Sequence, residues 1–150
     1  MPFSPDRRNV LRTGLVLGAA CAWRSVQGCE VQADFLRVVH PWTRATAADA
    51  SSAVLCMRLV DVTEDDRLVG ASSPIATGAE MGGAEPGRAV DVALPKGSAM
   101  ELHEGGIHLR LTGLRHGLQA GREYPLTLQF ERSGTVLARL SVDFTAMRFS

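Results

Sequence analysis

From residue 35 onward apolar and polar side chains alternate with a period of two, and Gly, Pro, Asp and Ser clusters interrupt the alternation at short intervals. That is the pattern of strands with one buried face. It predicts strands over Phe35 to His40, Ala53 to Val62, Arg67 to Ala71, Ala89 to Leu94, Ala99 to His103, Ile107 to Leu114, Tyr124 to Glu131 and Thr135 to Phe144. No stretch carries a helical period. Seven to eight antiparallel strands without helices predict an all-β, immunoglobulin-like sandwich with Greek-key connections.

The alternation also assigns faces. After Gly105-Gly106, it points Ile107, Leu109 and Leu111 to the core and leaves His108, Arg110 and Thr112 on the solvent side. In the next long strand Leu126, Leu128 and Phe130 point inward, and Arg132-Ser133-Gly134 reads as a hairpin loop with Gly in the left-handed position. The acidic run Glu64-Asp65-Asp66 reads as a solvated turn. Cys56, inside an apolar strand, reads as a small buried hydrophobe.

Residues 1–33 differ from the rest. Arg7-Arg8 precedes an apolar run from Thr13 to Trp23 that is shorter than the ~20 residues of a membrane-spanning helix. This arrangement resembles a twin-arginine (Tat) export signal. Val31-Gln32-Ala33 has the small-residue character of a signal-peptidase site, which leaves residues 34–150 as one domain. The alternative end is Val26-Gln27-Gly28-Cys29, a loose lipobox that would make Cys29 a lipid anchor. Either end predicts a periplasmic or otherwise extracytoplasmic protein, with no transmembrane helix in the mature domain.

Composition narrows the function classes. The 150 residues carry 16 basic and 16 acidic side chains, and removing residues 1–33 leaves a slightly acidic domain. Such a balance lacks the basic field that a nucleic-acid binder needs. The 3 cysteines form no Cys-x-x-Cys pair, which excludes a zinc ribbon or a thioredoxin-like motif. There is no Gly-x-Ser-x-Gly, His-Glu-x-x-His or phosphate-cradling loop, so an enzyme is not expected.

Three segments, taken in order, carry a resemblance: Val39-His40-Pro41-Trp42-Thr43-Arg44, Asp66-Arg67-Leu68-Val69-Gly70-Ala71-Ser72-Ser73-Pro74, and Leu102-His103-Glu104-Gly105-Gly106-Ile107-His108-Leu109-Arg110-Leu111. Together with Pro125-Leu126-Thr127-Leu128-Gln129-Phe130 they resemble the periplasmic copper chaperone family PCuAC over nearly all of the mature chain. The resemblance implies a cupredoxin-like β-sandwich that ligates Cu(I) and passes it towards the copper-A centre of cytochrome oxidase. The partner would be a cytochrome oxidase subunit or another copper-transfer protein.

The family's metal motif is His-x10-Met-x21-His-x-Met, whose thioethers and imidazoles suit Cu(I). In this chain His108 fills the third position, Met81 stands near the first, and Arg110 replaces the methionine of the fourth. The motif is therefore degenerate. A permanently charged guanidinium two residues from His108 opposes a cation there. A rebuilt site would draw on His108, Met81 and His103, with the Gly105-Gly106 turn folding His103 back towards His108. Two functions compete. One is an exported copper-chaperone-like protein with a remodelled or weakened Cu(I) site. The other is a metal-free sandwich whose face bearing His103, His108 and Arg110 contacts a protein or an anionic ligand.

Overall fold

The computed structural model describes residues 30–83 and 87–143. The twin-arginine segment, Cys29 and the final residue expected of the last strand, Phe144, lie outside the described residues. Among those described there are ten strands and no helix: β1 (Glu30–Gln32), β2 (Arg37–Arg44), β3 (Ser52–Val60), β4 (Asp66–Ser72), β5 (Gly78–Gly82), β6 (Val92–Leu94), β7 (Met100–Leu102), β8 (His108–Thr112), β9 (Glu123–Phe130) and β10 (Gly134–Asp143). They form one curled sheet in the order β5-β8-β3-β2-β10-β9-β4-β6, with β1 added to β2 and β7 to β3. No helix among these residues is long and apolar enough to cross a membrane.

The all-β expectation is met, and two details of it are corrected. The strand count rises because β1 and β5 carry no strong strand signal: β1 is three residues long, and β5 is Gly78-Ala79-Glu80-Met81-Gly82, poor in branched and aromatic side chains. Nor are all pairs antiparallel. Ser141, Val142 and Asp143 of β10 run parallel to Trp42, Thr43 and Arg44 of β2.

Alternate residues of the long strands build the core, as their period requires. Leu55, Met57 and Leu59 of β3, Leu126, Leu128 and Phe130 of β9, and Val136, Leu140 and Val142 of β10 are all buried. Each fully buried leucine contributes about 2 kcal/mol relative to exposure. In β8 the expected inward pair Leu109 and Leu111 is fully buried, whereas Ile107 lies before the strand and is exposed.

Two irregularities shape the region around β3. Along one edge, the β2–β3 ladder runs from Arg37↔Val60 to Val39↔Arg58 and resumes at Trp42↔Cys56, so His40 and Pro41 bulge opposite a single residue. Pro41 has no N–H to give the ladder, and His40 takes a left-handed φ of 50°. Along the other edge, β7 and β8 lie end to end: Met100 to Leu102 pair with Leu59 to Met57, and Leu109 to Thr112 pair with Leu55 to Ser52. Residues 103–107 thus leave the sheet opposite Cys56. The excursion is closed by hydrogen bonds from the His103 N–H to Ile107 O (3.1 Å) and from the Gly106 N–H to His103 O (3.0 Å).

Candidate functional site

The excursion and the β5–β8 ladder assemble the candidate residues. Register places Gly82 opposite His108, Met81 opposite Leu109 and Glu80 opposite Arg110. Directly paired residues share a face. His108, Arg110, Gly82 and Glu80 therefore lie on the outer face, and Met81 lies with Leu109 on the core side.

His108 is 8% exposed, which corrects its expected solvent-facing environment. It points to the outer side, but the ring is covered. Its Nδ1 lies 3.0 Å from Gly106 O. A carbonyl can only accept, so Nδ1 carries a proton, and in the neutral imidazole the lone pair is on Nε2. Nε2 points into the space above Gly82, where a Cβ would come within 2.3 Å of it. Glycine at position 82 is thus what admits the ring.

His103 is exposed and lies over the turn, its Nε2 only 3.0 Å from where a Cβ on Gly106 would stand. The rings of His103 and His108 consequently flank the same residue, Gly106. Met81 does not join them. Its side chain packs against the core cluster, and its sulfur accepts a 3.4 Å hydrogen bond from the Asp91 N–H. Strand register places Met81 and His108 at successive ladder positions on opposite faces of the sheet. Arg110 faces Glu80 across the ladder, with 3.8 Å between Nη1 and Oε2. Among the described residues no three His, Cys, Asp or Glu side chains converge.

Beside His108, Arg44 grips Glu104 with both arms, Nε to Oε2 at 2.6 Å and Nη2 to Oε1 at 2.9 Å. These hydrogen bonds hold the Glu104 carboxyl below its ordinary value against partial burial, and the charge of Arg44, with that of His108 when its ring is protonated, adds to the lowering. Cys56 lies beneath the same excursion and is 1% exposed. Burial pushes its thiol up to about 11, and the Glu104 carboxylate adds to the rise while a hydrogen bond from the Glu104 backbone opposes it. An apolar-buried, protonated thiol is a packing group and a poor metal ligand.

The expected role of the Glu64-Asp65-Asp66 run as a solvated turn is corrected at its last member. Asp66 is 6% exposed. Its Oδ1 accepts from the Arg67 and Arg132 N–H groups at 2.8 and 2.7 Å, and its Oδ2 accepts from the Ser133 N–H at 3.0 Å. The carboxylate ties β4 to the β9–β10 hairpin. Nothing in the sequence signalled this, because two of its three donors come from more than sixty positions away.

The curled all-β sheet matches that of PCuAC domains. The chain superposes on the copper-bound PCuAC domain from PmoF2 with a TM-score of 0.70 and 28% identity, over 77% of this chain and 97% of that one. It matches the apo PCuAC domain from PmoF1 with a TM-score of 0.70 and 25% identity, over 77% and 98% of the two chains. The Cu(I) form of DR1885 from Deinococcus radiodurans shares the fold, with a TM-score of 0.53 and 22% identity over 67% of this chain and 76% of that one. Residues 36–142 match the family model described as "Putative lipoprotein LpqE-like", and the chain belongs to the LpqE-like family. No curated protein matches it.

Proposed function

We propose that this protein is an exported, non-enzymatic copper-chaperone-like domain of cupredoxin-like form, which holds Cu(I) through His108 in a weakened site and passes it towards a copper-A centre. The observation that carries this reading is the imidazole itself. Nδ1–H is fixed on Gly106 O and Nε2 is left as a lone pair over the Gly82 notch, on a fold shared with a domain solved with copper bound. An imidazole oriented by a carbonyl at one nitrogen is the arrangement in which the other nitrogen ligates a metal. His103, across Gly106, is the second donor. The receiving partner is a cytochrome oxidase subunit or another copper-transfer protein.

Processing at Cys29, with a lipid holding the domain at the outer surface of the membrane, fits better than cleavage after Ala33. Two observations support it: the family's description as a lipoprotein, and β1, which begins at Glu30 and pairs Glu30, Val31 and Gln32 with Val39, Val38 and Arg37. Cleavage after Ala33 would discard that strand.

The test of copper binding is a Cu(I) titration against a competing chelator, run beside His108→Ala and His103→Ala. One-to-one binding that His108→Ala weakens by roughly tenfold or more is expected, since that variant removes the oriented nitrogen. Wild-type protein that never competes with the chelator would leave the second reading, a metal-free interaction domain. A specific observation favours that alternative: the outer-face position next to His108, where the family motif has methionine, holds Arg110 paired with Glu80.

A further inference from the structure

The β2–β3 ladder ends at Trp42↔Cys56 because the two strands choose different neighbours beyond it. Trp42 to Arg44 turn to β10, and Ser52 to Leu55 turn to β8. Between the parting strands lies a cleft of about 310 Å³. One wall carries Thr43 and Arg44, the other carries Ser52 with His108 and Arg110 of β8, and Glu104 of the excursion closes one side.

Two features of this cleft are unexplained by the fold. Thr43 is 1% exposed, and its Oγ1 has no hydrogen-bond partner among the described residues. A buried hydroxyl without a partner is destabilising where valine would fill the same shape. A ligand atom in the cleft would supply the missing partner. The second feature is charge. Two guanidinium groups line the cleft against the single carboxylate of Glu104. Arg44 is occupied by Glu104 in a two-armed grip. Arg110 also lines the cleft, and its ion pair with Glu80, the one it makes among the described residues, is at 3.8 Å and longer than a hydrogen bond, so a bidentate partner is still to be found for its donor fork. Glu104 on Arg44 shows how a carboxylate is taken by a guanidinium in this setting.

We propose that the cleft between β2 and β3 is a binding site for a small organic carboxylate, anchored on the Arg110 fork, with the Thr43 hydroxyl meeting it at the base. The site is separate from copper ligation in its chemistry and is tested on metal-free protein, so its failure leaves the Cu(I) titration untouched. The probe is citrate, followed by isothermal titration at ionic strength matched with sodium chloride. Saturable one-to-one binding is expected, weakened roughly tenfold in Arg110→Gln by loss of the charged fork. Thr43→Val keeps the side-chain shape, so it should weaken citrate severalfold while the melting temperature of the free protein stays equal or rises. Absence of saturable binding at matched ionic strength would overturn the proposal. So would citrate binding lost in Arg110→Gln yet unchanged in Thr43→Val, because the anion would then sit on an exposed guanidinium outside the cleft.

Discussion

Gly82 and His108 form a single packing unit. The imidazole lies across the glycine, and its Nε2 occupies the space a side chain would need. Gly82→Ala would place a methyl 2.3 Å from that nitrogen, so the ring has to leave. Overpacking of this kind costs about 1–3 kcal/mol. Urea unfolding should show that loss, and the His108 ring resonances should shift by NMR, whereas Gly87→Ala, at a position with open space and a φ of 89°, should cost stability and leave His108 unchanged. The resemblance to the PCuAC metal motif identified His108 as the residue to watch. It could not show that Gly82 is its partner, because cross-strand register is decided by pairing between segments some 25 positions apart.

At the scale of elements, the joint between β4 and the β9–β10 hairpin rests on Asp66. Burial alone would raise its carboxyl, but the hydrogen bonds from Arg132, Ser133 and Arg67 together outweigh it and hold the group below its ordinary value. The sign follows directly: the folded state binds the proton less well than the unfolded chain. Asp66 therefore stabilises fully above the ordinary carboxylate range, and that contribution is lost as pH falls through the folded value. Asp66→Asn turns an amide N–H towards the Ser133 N–H and should cost about 2 kcal/mol at pH 7. Denaturant titrations of wild type and variant should converge on acidification. If the gap stays constant down to pH 3, the carboxylate is not the cause.

Across the whole molecule, β1 closes the sheet beside β2, and Val31 and Ala33 pack against the core. A chain starting at Asp34 lacks that strand and should melt about 5 °C below one starting at Glu30, equivalent to roughly 1 kcal/mol. Calorimetry on the two chains decides it, and intact-mass measurement of the membrane-associated protein tells whether Cys29 is the acylated first residue. Equal melting temperatures would remove the structural argument for retaining β1.

Strand identity in this protein is local. Alternation of Leu126, Leu128 and Phe130, or of Leu109 and Leu111, suffices to place those strands and their buried faces, because a half-buried strand needs nothing but its own period. The weakly patterned β1 and β5 are strands only because β2 and β8 offer them an edge. The candidate site shows the same division. The PCuAC-like motif singled out His108 and Arg110, and the Gly105-Gly106 turn between the two histidines added His103. The tertiary structure decided that Met81 faces the core, that Glu80 faces Arg110, that Asp66 is buried, and that β2 and β3 part to leave a cleft lined by Arg44, Arg110 and a buried threonine whose hydroxyl has no partner among the described residues. Each of those depends on register and burial, which are properties of how strands distant in sequence pair and pack.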